Sequence, residues 1–410
     1  MLSCPRAKIL RQVSRNMGRW PIETIVMFSP LETAGNNPVK KGEKVMKKRF
    51  GIMLAIVIAT VFCSGIAMAQ SGKVIKWRMV STWPPSIDFI EIDKNFVKLV
   101  NELSNGRLQI TMSTAGELVP AAAVFDTVSK GSVECGTDSP LYWAGKNSAF
   151  EILGSIPMGL SQYDYINWYY HYGGQKISSD LYEKYNLEYF LTAVSPMESG
   201  IRSRMPIKSL ADYKGKKFRM SGKAQGHILK KLGAAQVMVS GGEIYQALQL
   251  GTIDAAEFSC PSLDWKMGFG EVTKYNIGPG WHQPSSTFGV LINKRAWESL
   301  PADLKVVVER AAQANVAFMS GWYETANIKA LEAFKQKGTQ VFRLPDSDLK
   351  KIEQYTWEYL VDECKKNPDY HKAALSVFQY LKDFRNTRDY EKPFGQGRNT
   401  FTLPDIPGLK

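Results

Sequence analysis

The sequence predicts an α/β protein of two similar lobes, with a helical C-terminal region. Three observations carry that prediction. Residues 74–112 read strand, helix, strand; a helix–glycine–strand unit occurs twice, 120 residues apart; and beyond Asn293 the pattern is mainly helical.

The elements follow in order. Val74–Val80 alternates, with Ile75, Trp77 and Met79 on one face and Lys76 and Arg78 on the other, the period of a half-buried strand. Pro84-Pro85 stops it. Ser86 is the predicted cap of a helix whose apolar stripe is Phe89, Ile92, Phe96, Leu99 and Leu103. Asn105-Gly106 supplies the residues that tolerate the left-handed conformation a helix end requires. Arg107–Met112 returns as a strand, completing a βαβ opening.

The repeated unit is Val124–Glu134 and Ile244–Asp254. Each copy is a short apolar helix stripe, a glycine (Gly131, Gly251), then a β-branched residue entering a strand. Two copies at so long a period indicate two α/β lobes rather than a solenoid. Leu187–Ala193, Lys216–Met220 and Thr287–Ile292 read as further strands, and Asn293-Lys294 turns the last of them. Pro301 opens a long helix to about Lys337, Gln340–Phe342 is a short strand, Ser347 caps another helix, and His371–Arg385 is helical. A Gly- and Pro-containing tail follows from Lys392.

With 410 residues, 44% hydrophobic and 22% charged, the composition excludes disordered, collagen-like and polytopic membrane classes. A net charge of +13 invites a nucleic-acid reading, so its location matters. Lys47, Lys48 and Arg49 precede the apolar run Phe50–Cys63, and Ala67-Met68-Ala69 offers small residues for cleavage. This is the pattern of a secretory signal peptide over residues 46–69, too short to span a bilayer comfortably. Bulky Phe62 argues against Cys63 as a lipid-attachment cysteine. Met46 then reads as the true start and residues 1–45 as a start-site over-call. Residues 1–69 carry eleven Lys or Arg against three Asp or Glu, and residues 70–410 carry 41 against 36. The positive excess belongs mostly to the leader, and the nucleic-acid reading loses its support. Export also gives the cysteines their context. Cys135, Cys260 and Cys364 remain, an odd number without close pairing, so no disulfide framework is expected, with one pair in an oxidising compartment as the alternative. The histidines His171, His227, His282 and His371 show no zinc spacing.

The order of motifs resembles one family across nearly the whole mature chain. The residues that carry the resemblance are Ser104-Asn105-Gly106-Arg107, Gly116-Glu117-Leu118, Val124–Gly131, Leu210–Arg219, Tyr245–Asp254, and Asn293-Lys294 ahead of Trp297. The most specific is the Asp212-x-x-Gly215-x-Lys217-x-Arg219 run. The family is that of the periplasmic solute-binding subunits of tripartite ATP-independent periplasmic (TRAP) transporters, DctP-like. Gly241–Tyr245 and Gly251–Phe258 look most like the branch that binds 2-oxo acids and other small monocarboxylates with a metal ion.

That resemblance implies a periplasmic binding protein fold, with lobe I at 70–195 plus about 286–325, lobe II at 196–285, and C-terminal helices and tail at 326–410. It makes Arg219 the carboxylate anchor, a role that suits the planar two-pronged guanidinium. Taken by itself, Arg219 reads equally as one of a solvated basic run with Lys214, Lys216 and Lys217. Glu257 would be a metal ligand and Phe258 would offer its carbonyl, hard oxygen donors suited to calcium or sodium. Glu198 stands where the branch has a neutral Gln that also ligates metal. The added charge favours calcium over sodium if Glu198 is a ligand. A register slip to the surface, or a contact to a solute amine or hydroxyl without metal, are the other readings of Glu198. Tyr142 and Trp143 match a paired tyrosine segment of the cleft wall. Trp83, Phe269 and Trp281 are further aromatic candidates, with core positions as the competing reading. Asp138 and His282 are secondary cleft candidates, and His227 reads as a structural histidine.

The implied function is capture of a small carboxylate and delivery to membrane permease subunits, with a possible homodimer and no nucleic-acid partner. Binding and hinge closure need no catalytic residue, so no enzyme activity is expected. The competing readings are a periplasmic metal-dependent enzyme on acidic substrates, a binding protein that presents itself to a sensor, and, within the family, a dicarboxylate binder. Cys260 has no evident activating partner, which weakens the enzyme reading.

Overall fold

A computed structural model describes residues 73–391. The expected leader (46–69), the upstream residues 1–45 and the tail from Lys392 lie outside the described residues. The first sheet contains β1 (Ile75–Ser81), β2 (Leu108–Ser113), β3 (Cys135–Asp138), β4 (Leu187–Val194) and β10 (Thr287–Asn293) in the order β2-β1-β3-β10-β4. The second contains β5 (Ile201–Ser203), β6 (Lys217–Arg219), β7 (Ala235–Val237), β8 (Ala255–Ala256), β9 (Tyr275–Gly278) and β11 (Gln340–Arg343), in the order β11-β9-β5-β8-β6-β7.

The two sheets repeat one plan. In the first, β2, β1 and β3 run parallel and β10 is antiparallel to both β3 and β4. In the second, β7, β6 and β8 run parallel and β5 is antiparallel to both β8 and β9. The repeated unit of the sequence lies in matching places. A 3₁₀ turn leads into the helix Val124–Ser129 before β3, and another into Ile244–Leu250 before β8. Gly131 and Gly251 end these segments at φ 73° and 75°, where a Cβ would be strained. Although β4 ends the sheet, the neighbouring strands β10 and β4 are buried almost throughout, as strands covered on both faces must be.

Helices differ from expectation mainly at their starts. The first runs Ile90–Leu103, and Phe89 rather than Ser86 occupies its N-cap. Its buried residues are Ile90, Ile92, Asp93, Phe96 and Val100, while Leu103 is exposed, so the apolar stripe is rotated from the expected one. The Pro84-Pro85 segment takes up a turn before helical geometry begins. Asn105 and Gly106 do adopt positive φ. The long helix is Ala302–Gln336, with Pro301 at its N-cap. The next, Asp346–Lys366, starts ahead of Ser347 with Pro345 as its N-cap, and the last is Pro368–Glu391.

Two helices cross from one core to the other. Leu304, Val308 and Ala312 of the long helix pack with Trp77, Met79 and Val290 beside the first sheet. Further on, Met319 and Tyr323 join Trp83, Phe89, Ala256, Phe258 and Phe288 between the sheets. In Asp346–Lys366, Ile352 packs in the second lobe's core with Phe218 and Ile277, and Leu360 in the first lobe's core. Among the described residues no helix is long and apolar enough to cross a membrane.

Candidate functional site

The parallel strands of each sheet end at the cleft between the lobes, the usual place for ligand contacts in α/β lobes. Arg219 is the last residue of β6, paired with Val237 of β7 and Ala256 of β8. Glu257 follows β8 directly, so the sheet register sets the two side chains side by side. Arg219 Nη1 donates to Glu257 Oε1 at 2.6 Å and to the Glu257 carbonyl at 3.0 Å, and its Nε donates to the Val239 carbonyl at 3.3 Å. Glu257 Oε1 also accepts from the Ser221 amide at 2.6 Å and the Ser221 hydroxyl at 3.1 Å. Arg219 is therefore buried and held, not part of a solvated run.

Glu198 comes from the segment that links β4 to β5. It is buried, accepts from Ser286 Oγ at 3.0 Å and shares a 2.8 Å hydrogen bond with His282 Nε2. Gly280 lets this segment approach, because a Cβ there would lie 2.2 Å from the Glu198 carbonyl oxygen. Glu198, Glu257 and His282 each bring one possible ligand atom within 4.8 Å of the others. The surface register proposed as an alternative for Glu198 is thereby corrected: the side chain is buried beside Glu257.

Burial works against charge on all three groups, and their neighbours decide the outcome. Burial, the largest influence, would raise Glu257, but the Arg219 guanidinium, His282 and the hydrogen bonds from Ser221 and Glu198 together hold the carboxyl below its ordinary range. Burial and then the negative Glu257 push Glu198 well above it. Burial lowers His282 to about 4. These directions favour a shared hydrogen bond over an ion pair at the Glu198–His282 contact, and a cation bound beside Glu198 would draw its carboxyl back to the ionised form. One oxygen, Glu257 Oε2, is buried with no hydrogen-bond partner, as is His282 Nδ1. A proton shared with Glu198 or a cation can face this carboxylate, and the cluster of oxygen donors fits a hard metal ion.

Trp83, Phe89, Ser139, Leu141, Tyr142, Glu198, Arg219, Ser221, Phe258, Gln283, Ser286 and Phe288 line a cavity with about 20 Å³ of room, enough for about one water. Trp83 is 4.8 Å from Phe89 and 5.8 Å from both Phe288 and Tyr142, between ring centroids. Its indole N–H is buried without a partner. The Phe258 ring lies 5.8 Å from the Arg219 guanidinium.

Six of the predicted site residues thus converge: Arg219, Glu257, Glu198, Tyr142, Trp83 and Phe258. Trp143 does not. It packs on Phe125 at 5.0 Å in the first lobe's core, and its indole N–H donates to Asp138. The 3₁₀ turn Pro140–Trp143 sends neighbouring side chains to opposite sides, Tyr142 to the cleft and Trp143 inward. Phe269 and Trp281 are core residues, and Asp138 is fully buried. His227 lies on the helix Lys223–Lys231, half-buried beside Tyr359 and outside the cleft. Cys260 is a buried free thiol, pushed up to about 11 by burial. Unpredicted lining residues include Ser221, Gln283 and Ser286. Ser221 stands two residues beyond Arg219, a spacing that could have indicated it, whereas Gln283 and Ser286 arrive on the crossover into β10 and carry no local signal.

The family described as bacterial extracellular solute-binding protein, family 7 (DctP) matches residues 80–366. The chain belongs to this family. DctP proteins of this kind are the periplasmic binding subunits of TRAP transporters, transport proteins rather than enzymes. This DctP protein is 32% identical to the monocarboxylate 2-oxoacid-binding periplasmic protein of Nostoc sp. PCC 7120, over 82% of this chain and 94% of that one. Among solved structures it is similar to a TRAP solute-binding protein of Colwellia psychrerythraea with bound calcium and pyruvate (31% identity, TM-score 0.74, 78% of this chain and 97% of that one). A Pseudoalteromonas atlantica protein with sodium and pyruvate is similar at 30% identity and TM-score 0.74, covering 78% and 97%. A third, from Bordetella bronchiseptica, is a mixed-occupancy dimer with calcium and picolinate in its occupied site (31%, TM-score 0.74, 78% and 96%).

Proposed function

We propose that this DctP protein captures a small 2-oxo or hydroxy monocarboxylate together with a calcium or sodium ion, and hands it to the membrane permease of a TRAP transporter. The observation that carries this reading is the buried Arg219–Glu257 pair with Glu198 alongside, in a small cavity walled by aromatic rings. Arg219 is the carboxylate anchor. Its hydrogen bonds among the described residues run through Nη1 and Nε, which leaves Nη2 for a solute oxygen. Tyr142 and the unpartnered Trp83 N–H are the neutral donors. Phe89, Phe258 and Phe288 take the apolar end of the solute and keep water from the anchor. That wall, without a second cationic group, disfavours a dicarboxylate. Glu257, Glu198 and the Phe258 carbonyl would hold the cation, which offsets carboxylate charge and attracts the solute's oxygens. The relatives that bind pyruvate with calcium or sodium support the same pairing.

Residues 46–69 serve as a cleavable signal for export in this reading, and the lobes meet near residues 195 and 286. A homodimer through the C-terminal helices is part of the proposal. The test is calorimetric titration with pyruvate in calcium, in sodium and after chelation. Tight binding that needs the ion is expected. Binding of no 2-oxo acid under any of these conditions would overturn the reading, and turnover of a bound acid would replace it with an enzyme.

A further inference from the structure

The cap of one second-lobe helix is supplied by the first lobe. The helix Lys223–Lys231 begins four residues after Arg219, and its N-cap is Gly222, which has no side chain to accept from the first amides. Glu151 does so instead. Its Oε1 accepts from the Lys223 amide at 2.6 Å and the Ala224 amide at 3.3 Å. Glu151 belongs to the helix Ala149–Gly154, whose Phe150, Ile152 and Leu153 are in the first lobe's core. Ile228 and Leu229 of the capped helix are in the second lobe's core. The other oxygen, Oε2, accepts from Tyr359 Oη at 2.6 Å, on the helix Asp346–Lys366 that enters both cores. Glu151 is only 1% exposed.

Three elements that must move relative to each other when the lobes part therefore meet on one carboxylate. A negative group at a helix N-terminus gains from both the free amides and the helix dipole. Separating the lobes breaks these bonds at once and returns both partners to water. The capped turn also continues directly from Ser221, whose amide and hydroxyl hold Glu257. Across the cleft, Lys266 pairs with Asp88, but Lys266 is more than half exposed, and exposed pairs contribute little.

We propose that Glu151 is a clasp: it fastens the first lobe to the anion-holding end of the second and so slows escape of the solute, without touching it. The clasp rests on the binding reading above. It is tested by comparing E151A, E151Q and Y359F with wild type for pyruvate dissociation in calcium and for the melting of the solute-free protein. E151A is expected to speed dissociation about ten- to hundredfold, as loss of a charged cap implies. Association should change little. The solute-free melting temperature should move by no more than about 2 °C, because the open form solvates Glu151 in any case. E151Q, which keeps an acceptor oxygen, and Y359F should fall between. Unchanged dissociation in E151A would overturn the clasp. So would an equal loss of stability with and without solute, which marks a fixed structural contact. If wild type binds no 2-oxo acid, the functional reading falls separately. A fluorophore on each lobe then reads the closed fraction of the free protein, and an E151A value equal to wild type overturns the clasp.

Discussion

Arg219 and Glu257 form a buried pair at 2.6 Å, with side chains 4% and 1% exposed, at the ends of neighbouring parallel strands. Such a pair is costly to break from one side, since the survivor keeps its charge without a partner.

Arg219→Ala should therefore abolish solute binding and also destabilise the fold by about 3–5 kcal/mol. Arg219→Lys separates the two effects. Lysine keeps the charge but cannot hold Glu257, Val239 and a solute with one planar group. We expect a loss of affinity of about a hundredfold, with a smaller loss of stability. Calorimetry and urea denaturation of both variants measure this, and R219K binding within tenfold of wild type would contradict it.

Glu198→Gln tests the choice of cation. With Arg219, Glu257, Glu198 and a monocarboxylate all ionised, two negative charges remain, which a divalent ion cancels and a monovalent ion does not. Wild type should be stabilised by pyruvate more strongly with calcium than with sodium. In the Gln variant one charge remains, and the preference should reverse. Thermal shifts in the two salts report it, and an unaltered calcium preference would count against Glu198 as a ligand.

Tyr142 and Trp143 should behave oppositely despite being neighbours. In the proposed reading Tyr142→Phe removes a solute hydrogen bond, which should cost about 0.5–1.5 kcal/mol of affinity with little change in stability. Trp143→Phe leaves affinity nearly unchanged. It strips Asp138 of its donor and should destabilise the protein by about 1–3 kcal/mol. Paired titration and denaturation distinguish them.

Stability should fall as pH rises through neutrality. Burial pushes Asp93 from 3.8 to about 7 and Asp138 from 3.8 to about 8. Between about 4 and 8 the folded chain keeps protons that the unfolded chain has lost. The stability these groups contribute is thus complete at low pH and is lost through pH 7–8. Asp138→Asn should flatten this slope by up to about 1.4 kcal/mol per pH unit, seen by denaturation at pH 5 to 8.

Local signals made most of the fold legible. The alternation at Ile75–Met79, the positive-φ residues Asn105, Gly131 and Gly251, and Pro301 mark their elements correctly because each acts within a few residues. The helix start near Ser86 did not follow its capping residue, since packing of Ile87 and Phe89 between the sheets governs that turn. In the site, Arg219 and Glu257 were readable through the resemblance alone. Spacing could not bring them together, because β6 and β8 are joined only by the sheet. Trp143 was misplaced because a 3₁₀ turn sets adjacent side chains about a third of a turn apart, so neighbours in sequence face different surroundings. Glu151 was not legible at all: nothing in Ala149–Gly154 announces a helix of the other lobe 72 residues away.

The place of β10 between β3 and β4 has a consequence for how the molecule is made. Residues 187–194 can find their strand partner only after residues 287–293 have been synthesised and delivered. Until then the first sheet has an open seam on each side of the missing strand. An exported chain emerging N-terminus first would thus cross the membrane before its first lobe could close into a finished sheet. In an exported chain, late completion of that lobe would favour threading, with residues 287–293 as the final stitch.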